Sequence, residues 1–200
     1  MTATTRPGPR ERLLNAAREL TYTHGVGIGV DAILDAAGVA RRSLYQHFGG
    51  KDRLLAEVLR TSADRDVQRY RDALNSGGAN PRARVLALFD ALYATVSRPT
   101  FRGCRYTAAD LALPDSSHPV HAETSAYKHR VLALLADEMN QLGHPEPARA
   151  ADELMLLIDG ALAFTTTQPS PRAVEAVRNL VEHVLNEANT ARKSARRRAQ

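Results

Sequence analysis

VDAILDAAGVARRSLYQHFGGKDRLL, residues 30 to 55, holds two short apolar-periodic segments separated by Gly38-Val39-Ala40 and closed by the Gly49-Gly50 pair. Two short helices joined by a Gly-containing turn of three or four residues make a helix-turn-helix. Ile33, Val39, Leu44 and Phe48 supply a small core under the pair, and an upstream helix ending at Gly25 covers it with Leu13, Ala17 and Leu20. Leu44 and Phe48 lie one turn apart and face inward. Arg41, Arg42, Ser43, Gln46 and His47 are therefore left outside.

A polar face on so short a helix is open to two readings: an ordinary solvated surface, or a surface that meets a polyanion. Duplex DNA explains its residue types. Arg reads the guanine acceptors in bidentate fashion and Gln pairs the donor and acceptor of adenine. The N-terminal residues of a recognition helix reach the bases, so Arg41, Arg42 and Gln46 are the expected base readers. Tyr45, His47 and Lys51 are placed for phosphates, and the helix opened by Lys51 and Asp52 offers free N–H groups as well.

The spaced series Val-Asp-x-Ile, Ala-Gly-Val, Leu-Tyr-x-His-Phe and Lys-x-x-Leu resembles the N-terminal domain of the TetR family of transcriptional regulators over residues 10 to 59. The resemblance implies that Tyr45, His47 and Lys51 grip phosphates and that Arg41 and Arg42 lie at the groove. Three positions depart from the family pattern. Ala40 stands where Ser or Thr often caps the recognition helix, a loss worth about 1 kcal/mol. Gly29 stands where a hydroxyl residue often caps the second helix and touches phosphate, and Gly caps tolerably. Arg42 stands where many members have a small residue, which points to a particular operator preference.

Outward from this stretch the chain reads as helix almost throughout. Turn signals separate runs of apolar residues at spacings of three and four. The expected fold is all-α: an N-terminal three-helix helix-turn-helix DNA-binding domain followed by a larger helical ligand-binding and dimerisation domain. The expected divisions are a flexible arm over 1–9, the DNA-binding domain over 10–55, the effector-binding and dimerisation domain over 56–190, and a basic disordered tail over 191–200. Long helices are predicted from Lys51, from Pro81 to Pro99, over 120–143, over 148–167 and over 171–190, with a short one around CRYTAADLAL.

The 200 residues can bury a real core, and 44% hydrophobic residues is an ordinary globular share. The net charge of +5 is unevenly spread. Residues 1–56 hold eight Lys and Arg against five acids, residues 57–190 hold 14 against 17, and the last ten hold five and none. Basic ends on a slightly acidic body fit a polyanion partner at the ends. LMLLIDGALAF, the longest apolar stretch, is broken by Asp159 and falls short of the ~20 residues of a membrane span. The N-terminus lacks the apolar centre of a secretory signal. A cytoplasmic protein with no membrane partner is expected.

The TetR resemblance implies a small-molecule effector and a homodimer joined through the last two helices. The residues allow both. Phe89, Tyr93, Phe101, Tyr106, Tyr127 and Phe164, with Asp110 and Asp159, are the candidates for a mostly apolar effector pocket carrying a few polar anchors. Asp159 needs an internal cation or a cationic ligand. Leu162 and the stripe Val174, Val177, Val181, Val184 and Leu185 suit a four-helix dimer interface, or else complete a single-chain core.

The single cysteine, Cys104, excludes an intramolecular disulfide. Flanked by Arg102 and Arg105 it fits a thiol sensor, against the commoner reading of inert packing. His118, His121 and Glu123 have partial metal-ligand spacing, but Pro119 and the missing further ligand favour a polar loop. No cofactor and no metal are called for. No nucleophile-base-acid series and no Gly-rich phosphate loop argue for an enzyme. The sequence therefore predicts a ligand-responsive transcriptional regulator, a repressor that binds a near-palindromic double-stranded operator as a dimer. An enzyme and a helical adaptor module are the competing classes.

Overall fold

Glycine and proline punctuation divides the chain into helices. The computed structural model describes residues 7–168 and 171–198, without side chains at 171 and beyond 188. Among these residues the elements are α1 (Pro9–His24), α2 (Val30–Ala37), α3 (Arg41–Phe48), α4 (Lys51–Ser76), α5 (Pro81–Val96), α6 (Arg105–Ala112), α7 (Pro119–Leu142), α8 (Pro147–Thr167) and α9 (Pro171–Arg198), and none is a strand. Five of them begin on proline, whose missing N–H costs nothing in a first turn.

The residues fall into two units. Among the described residues, one comprises 7–64 with 105–126, the other 65–104 with 127–168 and 171–198. The first half of α4, all of α6 and the start of α7 cluster with helices α1 to α3. The core of this unit is built by Leu13, Leu14 and Ala17 of α1, Ile33, Leu34 and Ala37 of α2, Leu44 and Phe48 of α3, and Leu54 and Val58 of α4. Leu20 and Val39 pack against its edge. Tyr106 of α6 is 2% exposed, and its carbonyl accepts a bond from the buried Thr124 hydroxyl.

In the second unit α5 buries Val85, Leu88, Phe89, Leu92 and Val96, and α8 buries Leu154, Ile158 and Leu162. Val131, Leu135 and Met139 of α7 are likewise buried. Asn80 caps α5 by accepting from the backbone N–H of Arg82 at 2.9 Å and of Ala83 at 3.4 Å. The corner before it requires glycine, because a Cβ on Gly77 would lie 2.5 Å from backbone atoms of Arg84. Arg84 reaches across to the buried Glu138 at 2.8 Å and also holds Gln141.

One expectation is narrowed and another corrected. The stripe Val181, Val184 and Leu185 of α9 is 0 to 6% exposed in the single chain, and Leu162 of α8 is 7% exposed. In the single chain these four side chains belong to its own core, the second of the two readings the stripe allows. The basic segment expected to be a disordered tail lies on α9, which continues to Arg198. Alanine and arginine are strong helix formers, so high charge does not end the helix there. The expected arm over 1–9 lies mostly outside the described residues.

Candidate nucleic-acid interface and effector region

The turn between α2 and α3 fixes how the recognition helix is presented. Gly38 takes the left-handed conformation, φ 59° and ψ 46°, where its N–H bonds back to the last turn of α2. The Val39 N–H bonds to the Leu34 carbonyl at 3.2 Å. Arg12, from α1, donates Nη1 to the carbonyl oxygens of Ala37 and Gly38, so a third helix clamps the turn. Gly29 and Ala40 precede α2 and α3 with no side-chain cap.

Leu44 and Phe48 anchor α3 inward at 2% and 7% exposure. At 100° per residue, Arg42 and Gln46 occupy the middle of the opposite face, Arg41 and Tyr45 flank one side, and Ser43 and His47 the other. Arg41, Arg42, Tyr45, Gln46 and His47 are exposed, while Ser43 and Lys51 are half-buried. The back of the helix is braced as well. Arg10 lies 5.3 Å from the Phe48 ring centre and donates to Glu57 of α4 at 2.6 Å. Hydrogen bonding from Arg60, together with Arg10, holds the Glu57 carboxyl below the usual carboxylate range against the opposing effect of burial.

The profile of the bacterial regulatory proteins of the tetR family matches residues 13–58. The structure of a TetR-type transcriptional regulator of Streptomyces avermitilis is 35% identical, with a TM-score of 0.75, and the match covers 89% of this chain and 98% of that one. This chain belongs to the TetR family. A second TetR-family regulator, from Streptomyces coelicolor, is 29% identical with a TM-score of 0.78, over 90% of this chain and 95% of its own. The transcriptional repressor NemR of Escherichia coli is 27% identical over 186 residues, 88% of this chain and 92% of its own. The relatives are transcription regulators, and the enzyme class falls away. Helices α2 and α3 are thus the helix-turn-helix of a TetR-family chain. No helix of the described residues is long and apolar enough to cross a membrane.

The eight expected effector residues of this TetR chain fall into three places. Tyr106 and Asp110 belong to the unit that contains α3, where Asp110 meets His121 at 2.7 Å. Phe89, Tyr93 and Phe164 line an almost wholly apolar cleft of about 340 Å3 between α5, α8 and α9, together with Val174 and Val177. Leu156, Phe164 and Leu180 at this cleft are 71%, 49% and 52% exposed.

Tyr127 and Asp159 stand with a polar group inside the second unit. Asp159 is ion-paired with Lys128 of α7, the internal cation its position requires. Tyr70 shares a hydrogen bond with Tyr127, and burial pushes its hydroxyl up to about 12, with Cys104 and Asp159 adding to the rise. Cys104 itself is partly exposed, and Phe101 is half-buried just before it. Tyr70 and Lys128 carried no signal in the sequence, because nothing in a helical pattern says which residue 31 positions away will meet Asp159.

His121 sits between two acceptors. Its Nδ1 faces the Asp110 carboxylate at 2.7 Å and its Nε2 faces the Asp115 carbonyl at 2.9 Å. A neutral imidazole can donate to only one of two acceptors, so the charged ring fits this site better. The bond to Asp110 raises the His121 pKa accordingly, with the Asp115 carbonyl adding to it.

Proposed function

We propose that this TetR protein is a ligand-responsive repressor that binds a near-palindromic operator as a dimer and leaves it when a small hydrophobic or aromatic effector binds. The observation that carries the reading is the face of α3, where Arg41, Arg42 and Gln46 stand exposed above the buried Leu44 and Phe48. Repression is favoured over activation by the similarity to NemR, a repressor. The place of action is the cytoplasm, where a regulator of this kind meets its operator.

For the cleft between α5, α8 and α9 the occupant favoured is a second copy of this chain. Three large apolar side chains at its rim are exposed, and a surface of that kind marks a protein partner. Its two charged lining residues, Asp90 and Arg178, are paired with each other and not aimed at a ligand. Phe164, Val174 and Val177 are then interface residues. Two recognition helices related by a twofold axis reach successive major grooves about 34 Å apart.

The effector region favoured is the Tyr70, Tyr127, Lys128 and Asp159 group, which offers two phenols and an ion pair. An effector there acts through its differential affinity for two states of the dimer, worth about 1–3 kcal/mol of coupling. Helix α4 contributes residues to both units and is the route we assign to that coupling.

The test is selection of bound sequences from a random duplex pool by the purified protein near physiological salt. A palindrome with two half-sites is expected, and its duplex then serves to screen compounds that release the protein. A featureless pool, with weak and salt-sensitive binding, would overturn the operator-binding reading.

A further inference from the structure

The first side chain of the recognition helix is already held. The Nη2 group of Arg41 is ion-paired with Oδ1 of Asp31, in the first turn of α2. Both are open to solvent, Arg41 at 53% and Asp31 at 77%. An ion pair so exposed adds little to stability. Its position matters more, because Asp31 sets a negative charge beside Arg41 at the start of the recognition helix.

We propose that Asp31 is a specificity-determining residue that holds Arg41 for a guanine edge and penalises DNA that lacks one. The proposal rests on the operator-binding reading above and on Arg41 as a base reader. Arginine has five donors in one plane. A carboxylate on Nη2 leaves donors on the other edge of the fork for guanine O6 and N7. Arg41 pays less rotamer entropy on binding when its guanidinium is already oriented. At any other base pair the bidentate contact is lost, while the Asp31 charge still faces a negatively charged backbone. One carboxylate thus favours the right sequence and disfavours the rest.

The experiment repeats the duplex selection with the full-length protein and with Asp31→Ala, Asp31→Glu and Arg41→Ala, and adds affinity for an unrelated duplex. Arg41→Ala is expected to flatten the preference at one position of each half-site. Asp31→Ala should weaken discrimination at that same position by about tenfold while binding the unrelated duplex several times more tightly. Asp31→Glu, which keeps the charge, should restore part of the discrimination. If Asp31→Ala leaves that position unchanged while Arg41→Ala flattens it, the assignment of Asp31 is overturned and Arg41 remains a base reader. If Arg41→Ala flattens nothing, or the native protein selects a featureless pool, the premise fails and the assignment with it.

Discussion

Arg12 of α1 donates to the carbonyl oxygen of Gly38, 26 residues away, at 2.9 Å, and to that of Ala37 at 3.0 Å. The last carbonyls of a helix need partners, and here a cation supplies them at the end where the helix dipole is negative. Hydrogen bonds to a charged group are worth about 1.5–3 kcal/mol, reduced here because part of the site is exposed. Replacing Arg12 with Leu should cost roughly 1–2 kcal/mol in urea unfolding. Operator affinity should fall as the turn loosens, with Arg12→Lys recovering some of it. An Arg12→Leu protein as stable as the native one would show that the clamp is not stabilising.

Neighbouring positions on α3 should separate stability from recognition. Leu44 is 2% exposed, and Leu44→Ala should destabilise the protein by about 2–5 kcal/mol. Gln46→Ala, two residues on and exposed, should stay within about 0.5 kcal/mol of native stability while changing base preference. Thermal unfolding of both variants beside duplex selection with Gln46→Ala checks this. A Gln46→Ala protein with unaltered preference would remove that residue from base reading.

The surface of α8 and α9 offers a comparison between outward and inward residues. Leu156→Glu and Leu180→Glu change exposed positions and should yield folded monomers of 21.8 kDa in sedimentation, with greatly weakened operator binding. Val181→Glu, at 0% exposure, should unfold the chain instead, because it buries a charge without a partner. A stable dimer carrying Leu156→Glu and Leu180→Glu together would move the interface elsewhere.

His121 gives the stability of the α6–α7 corner a pH dependence. Its pKa is raised in the folded chain by Asp110 and by the Asp115 carbonyl. Below the unfolded value of about 6.5 both states carry the proton and the stabilisation is complete. It is lost as pH rises through the higher folded value. Melting temperature should therefore fall over that interval in the native protein, and the fall should be smaller in His121→Gln. Identical pH profiles for the two proteins would refute this.

Periodicity in the sequence was enough to place Leu44 and Phe48 inside and Arg42 and Gln46 outside, because one buried face of a short helix settles the other. It was not enough for α9. The stripe through Val181 and Leu185 announces that something covers it, and the identity of the cover depends on chain packing that no local pattern records. The same limit hid Arg12, Lys128 and Asp31 as partners of Gly38, Asp159 and Arg41. Tyr106 and Asp110 likewise separate from Tyr127 and Asp159 although all four lie within 54 residues, since α7 passes from one unit into the other.

The missing side chain at Gly77 bears on motion as well as on shape. Backbone atoms of Arg84 occupy the space a Cβ would need, while Asn80 secures the start of α5. At Gly77 the bend between α4 and α5 is tightly packed. On this packing a rotation of the end of α4 is expected to pass to α5, which would make the corner an elbow and not a hinge. Lengthening the loop at Gly78 with two or three flexible residues would turn the elbow into a joint, and the proposed coupling of effector to operator should then weaken.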